Sequence, residues 1–167
     1  MISAITEMYR PERAGLSTQF GMFGRIPALW QYSIVTEFPA HVEDRYRRLA
    51  EQRRWTPEVR AAFRASVGWY RALDEDPGPR CYFEYVDEEG LSDKGSRWLW
   101  EAVIVDGDVV AIKQIEVPSS GPSRRYWWQH LEDDTGMLTD QALETDQPGI
   151  TPITRSAFYA LWDSVHS

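Results

Sequence analysis

The segment VIVDGDVVAI, residues 103–112, constrains the fold more than any other part of the sequence. Two runs of alternating apolar residues, 97–105 and 109–117, flank the residues Asp106, Gly107 and Asp108. An Asp-Gly pair tolerates the positive φ angles of a tight hairpin turn, so the segment predicts a β-hairpin. Two further strand-like segments, 80–86 and 124–131, adjoin this hairpin through short connections. The pattern therefore predicts an antiparallel meander.

Helical periodicity marks three other segments. Residues 41–54 carry an apolar stripe at spacings of three and four, and residues 57–73 carry a second one. The second helix begins with Thr56 as N-cap and Pro57 at the first helical position. At the C-terminal end, Thr154 is placed to cap a third helix, and Ile153 and Phe158 are spaced as a hydrophobic staple. We therefore predict an α+β fold, in which an antiparallel meander sheet of four or five strands is packed by a helical hairpin and a C-terminal helix.

The C-terminal helix is short and needs tertiary contacts to be stable. Its apolar residues recur on one face, so we expect this face to pack on the sheet: Phe158, Leu161, Trp162 and Val165. Truncation of Trp162 to alanine is expected to destabilise the protein strongly.

The length of 167 residues predicts one domain, residues 1–167, with the first 20 loosely ordered and a strand at 29–35. No apolar run approaches the roughly 20 residues that cross a bilayer, and the N-terminal sequence has no basic segment followed by an apolar block. We expect a cytoplasmic protein without membrane association. Cys81 is the only cysteine, so an internal disulfide is excluded.

Charge is distributed unevenly along the chain. The net charge of −8 disfavours binding to nucleic acid, although residues 41–73 hold eight arginines and four acids. Residues 132–146 hold no lysine or arginine, and their acids are Glu132, Asp133, Asp134, Asp140, Glu144 and Asp146. Such a stretch is either a solvated loop or a docking surface for a basic protein partner, whose association it would accelerate by electrostatic steering.

No established catalytic signature is present, because the sequence has no GxGxxG, Walker-type, HExxH, GxSxG or CxxC motif. We predict no cofactor and no metal site, although a site assembled across the fold from His130 and acids is not excluded by sequence.

Aromatic residues give the second candidate site. Alternation along residues 124–131 and 97–105 predicts that one surface carries Trp98, Trp100, Tyr126, Trp128 and His130. This surface is either a pocket for a small apolar ligand, with His130 as acid/base oriented by Glu84, or a core built from large aromatic residues.

Residues 80–163 resemble small bacterial domains of unknown function, some of which are similar to immunity components of toxin systems. The resemblance rests on the hairpin VIVDGDVVAI and the terminal segment ITRSAFYALW. It implies no catalytic residues.

Two functional hypotheses follow from the sequence. The first is a small acidic binding module, of the immunity type, whose residues 132–146 engage a basic protein. The alternative is a small enzyme that acts on an apolar or aromatic metabolite at the Trp/Tyr surface, with His130 and Glu84 as catalytic residues. Whether the protein is an enzyme is not decided by the sequence.

Overall fold

The computed structural model describes residues 37–165, which form three helices and five strands. Two helices come first, α1 (Ala40–Gln52) and α2 (Pro57–Glu75). They are followed by β1 (Cys81–Val86), β2 (Arg97–Val105), β3 (Asp108–Val117), β4 (Arg124–Trp127), β5 (Ile150–Pro152) and α3 (Arg155–Trp162). The predicted α+β class is confirmed. The strand expected at 29–35 and the loosely ordered first 20 residues lie outside the described residues.

The five strands form one antiparallel sheet in the order β4-β3-β2-β1-β5. The β2–β3 hairpin turns as predicted, because Asp106 has a φ of 52° and Gly107 a φ of 94°. Strand β5 follows β4 in the chain but lies at the opposite edge of the sheet. Residues 128–149 therefore connect one edge to the other, and this connection contains the six acids of the sequence analysis.

The helices lie on opposite faces of the sheet. The larger core joins α1 and α2 to residues such as Tyr85, Trp98 and Trp100. The smaller core packs Phe158 and Val165, from α3 and just beyond it, against Leu99 and Ile115 on the other face. Since both faces are covered, the central strands lack the alternation of apolar and polar residues that a sheet with one solvated face shows.

Both predicted N-caps are present. The Thr56 hydroxyl oxygen accepts a hydrogen bond from the amide of Val59 (3.4 Å), and that of Thr154 accepts one from Ala157 (3.1 Å). Ile153 and Phe158, the staple pair, share the smaller core. These local signals predict the first residues of α2 and α3 correctly, because each acts within one helical turn.

Strand β4 is shorter than predicted. The amide of Trp127 donates to the carbonyl of His130 (3.2 Å), and the amide of His130 donates to that of Trp127 (2.7 Å). This reciprocal pair closes a tight turn, so the prediction of a strand through residue 131 is wrong beyond Trp127. Strand alternation therefore does not determine which way the side chains of Trp128 and His130 face, because both residues lie beyond the strand. Trp128 and Tyr126 nevertheless both belong to the larger core.

A buried carboxylate organises the connection between β1 and β2. Asp87 is fully buried and accepts four backbone hydrogen bonds of 2.7–2.9 Å from residues 90–93. Burial opposes ionisation of Asp87, but the four amide donors hold its pKa below the ordinary value. Asp87 thus holds residues 90–93 of this loop in place.

Candidate functional site

The four aromatic residues predicted to line a pocket lie together in the larger core. Trp98, Trp100, Tyr126 and Trp128 are each less than a tenth exposed. The Trp100 indole donates a hydrogen bond to the side-chain oxygen of Gln114 (3.0 Å). The hydroxyl of Tyr46, from α1, donates to the carbonyl of Trp128. Helix α1 thus covers part of this aromatic cluster, and a ligand pocket here stays a prediction.

His130 lies at the edge of this cluster. Its Nε2 is 3.2 Å from Oδ2 of Asp133, and its ring packs between those of Tyr126 and Trp127 at centroid distances of 5.5 and 5.8 Å. Burial lowers the pKa of His130, and the nearby Arg45 guanidinium lowers it further against the opposing effect of Asp133. The imidazole is therefore disposed to be neutral at pH 7.

Glu84 is not beside His130. Its Oε1 accepts a hydrogen bond from Nε of Arg97 at 2.5 Å. It belongs to β1, which β2 and β3 separate from β4 by about 14 Å at the usual strand spacing. The carboxylate that orients His130 is instead Asp133, three residues along the chain.

A buried carboxyl that the sequence analysis did not select lies next to this pair. Glu116, on β3, is 5% exposed, and it pairs across the sheet with Trp98 and Arg124. Burial raises the pKa of Glu116 to about 7, and the Asp133 carboxylate adds to the increase while Arg124, 3.7 Å away, opposes it. The sequence signal for burial of Glu116 was its position on β3 opposite Trp98 of β2. A polar residue in a strand is, however, usually expected to face solvent.

A tight turn of residues 133–136, here called the capping turn, covers Glu116. Oδ1 of Asp133 accepts hydrogen bonds from the amide and hydroxyl of Thr135 (2.7 and 2.5 Å) and from the amide of Gly136 (3.0 Å). A Cβ atom on Gly136 would lie 2.7 Å from the Tyr126 hydroxyl and 3.1 Å from Oε2 of Glu116. A side chain at position 136 would therefore require Tyr126 or Glu116 to shift.

The six acids of residues 132–146 divide into two groups. Glu132 forms an ion pair with Arg53 of α1 (2.7 Å), and Asp133 is engaged by His130 and the capping turn. The other four are exposed and form no ion pair within residues 37–165: Asp134, Asp140, Glu144 and Asp146. We call these four residues the acidic surface.

The chain that carries the acidic surface is anchored at several points. Leu138 and Leu143 are buried in the larger core. Their amides donate to the carbonyls of Leu131 (2.7 Å) and Val109 (2.8 Å), respectively. The amide of Thr139 donates to the side-chain oxygen of Gln114 (3.0 Å). The acids therefore project from a backbone held by the core.

A second, partly buried polar network joins α2 and α3 to the sheet. Nζ of Lys113 contacts Asp74 (2.8 Å), Glu101 (2.9 Å) and the hydroxyl of Tyr159 (3.2 Å). Burial alone would lower the pKa of Lys113, but the two carboxylates hold it above its ordinary value. The network ties the end of α2, the sheet and α3 together, and the sequence analysis did not foresee it.

Within residues 37–165, no group of three or more histidine, cysteine, aspartate or glutamate side chains is arranged to hold a metal ion. The helices of the same range include none that is long and apolar enough to cross a membrane. No family model, curated protein or solved structure matches the chain. The function proposed next therefore rests on the chain's own residues.

Proposed function

We propose that the protein is a small, acidic, cytoplasmic binding module of bacterial origin, of the immunity type, whose acidic surface engages a basic protein partner. The observation that carries the proposal is the set of four exposed carboxylates, without ion pairs in the described part of the chain, on a backbone anchored by Leu138 and Leu143. Unpaired carboxylates on an ordered frame lose less conformational entropy on binding than the same groups on a flexible loop.

The division of the acids supports the same proposal. Arg53 neutralises Glu132, and Asp133 is used inside the fold. The remaining four acids therefore keep their charge available to a partner, since none of them is neutralised by an ion pair within residues 37–165. Like charges held together raise the local negative potential and accelerate the approach of a basic partner.

A fourfold neutralised variant tests the proposal: Asp134→Asn, Asp140→Asn, Glu144→Gln and Asp146→Asn. The matched control neutralises four other exposed acids and also changes the net charge from −8 to −4: Glu88→Gln, Glu89→Gln, Asp108→Asn and Asp163→Asn. Partners are captured from lysate of the native host on the immobilised wild-type protein, purified, and titrated against all three proteins.

At roughly 0.5 kcal/mol for each exposed charge pair, neutralising the acidic surface should weaken the affinity by about thirtyfold. The control should bind like the wild-type protein. Equal affinities of the two variants for the captured partner would refute the proposed surface.

The enzyme alternative has one observation in its favour. Nε2 of His130 lies 3.2 Å from the Asp133 carboxylate, as in a base with an orienting carboxylate, although Nδ1 of the same ring is buried without a hydrogen-bond partner among residues 37–165. An enzyme of this kind acts on a small apolar metabolite, with His130 as acid/base. On the enzyme hypothesis, His130→Gln should abolish turnover without altering affinity for the captured protein. On the binding hypothesis, there is no turnover that depends on the imidazole.

A further inference from the structure

The contact between Glu116 and the capping turn joins a buried ionisable group to the acidic surface. Both carboxyl oxygens of Glu116 lie within 3.2 Å of the position that a Cβ of Gly136 would occupy. The capping turn includes Asp134, and the chain continues from it directly into residues 137–146. The Glu116 carboxyl therefore lies against the backbone that leads into the segment carrying the acids.

The groups that face Glu116 within residues 37–165 come from four elements, β2, β3, β4 and the capping turn. Strand β4 contributes Arg124 and the Tyr126 hydroxyl, and the capping turn contributes Asp133. On β3 itself, Nε2 of Gln114 donates to Oε1 of Glu116 at 3.4 Å, a long hydrogen bond. Across the sheet on β2 its neighbour is Trp98. Arg124 is the only one of these groups with a positive charge.

This arrangement suits a neutral carboxyl better than an ionised one. The single cation is 3.7 Å away, while the Asp133 carboxylate faces Glu116 from the capping turn. Burial alone would raise the pKa of Asp133, but hydrogen bonds from Thr135 and Gly136, together with the neighbouring His130, hold it below its ordinary value. Asp133 thus remains ionised at neutral pH, and a charge on Glu116 repels it.

We propose that Glu116 is a proton-controlled latch, which holds the capping turn closed while its carboxyl is protonated and releases the turn when the proton is lost. Opening admits water to Glu116 and moves Asp134 relative to the other acids. Regulation of the acidic surface by the latch rests on the function proposed above. The opening of the turn itself does not depend on that function.

The direction of the pH effect follows from linkage. Burial raises the pKa of Glu116 from 4.5 to about 7 in the closed protein, and we expect exposure in the open turn to return it towards 4.5. The open form binds the proton less tightly, so its share increases with pH between these two values, by up to tenfold for each pH unit. Above pH 7 both forms are ionised and the ratio stays constant.

Hydrogen exchange of the full-length protein between pH 5.5 and 8.5 tests the latch. The reporter amides are those of Asp133 and Leu138, which donate to Gly136 and Leu131. Their protection factors, corrected for intrinsic exchange, should fall about tenfold per pH unit up to pH 7 and then level off. The amides of residues 90–93, bound by Asp87 on another loop, serve as internal controls and should not follow this profile.

Three variants identify the titrating group. Glu116→Gln should give protection that is independent of pH, and Gly136→Ala should lower protection at every pH because its Cβ crowds the Tyr126 hydroxyl and the Glu116 carboxyl against the turn. His130→Gln should keep the wild-type profile. A wild-type profile in Glu116→Gln, or a profile lost only in His130→Gln, would overturn the latch.

Poly-L-lysine is the probe for the consequence at the acidic surface. Its affinity should change with pH for the wild-type protein and stay constant for Glu116→Gln. If exchange at the turn follows pH but neutralising the acidic surface leaves binding unchanged, the proposed function fails and the latch remains. If neutralisation abolishes binding but exchange is flat, the latch fails alone.

Discussion

Replacement of Phe158 by alanine should destabilise the protein more than any other change in α3. The side chain is 0% exposed, and its ring contacts those of Tyr82, Tyr159 and Trp162 at centroid distances of 5.7, 5.4 and 5.6 Å. Truncating a fully buried phenylalanine costs roughly 3–5 kcal/mol, because transfer energy is lost and a cavity remains. For a domain of this size, the melting temperature should fall by about 6–20 °C.

Trp162, which the sequence singled out as the anchor of α3, is only partly buried. Its ring meets the edge of Trp127 at 5.7 Å and lies beneath the Arg125 guanidinium at 5.0 Å. These contacts are worth about 1–3 kcal/mol in total. Trp162→Ala should therefore melt between the wild-type protein and Phe158→Ala in a calorimetric scan. A Phe158→Ala protein that melts within about 2 °C of wild type would show that α3 is not packed on the sheet.

Three other substitutions give distinct outcomes in urea unfolding. Lys113→Met removes the cation that Glu101 and Asp74 share, while Arg80 stays 3.5 Å from Glu101, and it should cost about 2 kcal/mol, part of which the added change Glu101→Gln should restore; equal stability of the single variant and wild type would contradict the network. Because the pKa of Glu116 is raised from 4.5 to about 7, the unfolding free energy of the wild-type protein should fall by up to about 3 kcal/mol as the pH rises between those values, and by less if the capping turn opens first; Glu116→Gln should show no such fall, and parallel pH profiles would contradict this. Asp87→Asn should cost about 2–3 kcal/mol, because an amide accepts through only one atom where four backbone donors converge; an unchanged midpoint would contradict the role of Asp87.

The parts of the fold predicted correctly depend on short-range physics. The turn at Asp106 and Gly107 is set by the φ angles those residues tolerate, and the caps at Thr56 and Thr154 by hydrogen bonds within one helical turn. Each can be recognised without knowing where the rest of the chain lies. The end of β4 at Trp127 could not be recognised in this way. A reciprocal pair of backbone hydrogen bonds between Trp127 and His130 ends the strand, although the residue types that follow all suit a strand.

The candidate site was predicted only in part for a similar reason. The aromatic cluster assembled from Trp98, Trp100, Tyr126 and Trp128, since large apolar residues on neighbouring strands share a core. The sequence predicted Glu84 as the carboxylate partner of His130, whereas Asp133 lies beside it. The buried Glu116 was not predicted. The partner of His130 and the burial of Glu116 both depend on which segment covers this face of the sheet. That segment is determined by the path of residues 128–149 between the two sheet edges. Sequence spacing does not encode that path.

The salt dependence of binding to the captured partner tests the central claim most directly. Long-range attraction between exposed charges weakens as ionic strength rises, and the Debye length falls from about 10 Å at 0.1 M to about 3 Å at 1 M. The affinity of the wild-type protein, and of the control neutralised at Glu88, Glu89, Asp108 and Asp163, should decrease steeply with added salt. The variant neutralised at Asp134, Asp140, Glu144 and Asp146 should bind weakly with a much shallower dependence. The same slope in all three proteins would contradict the account.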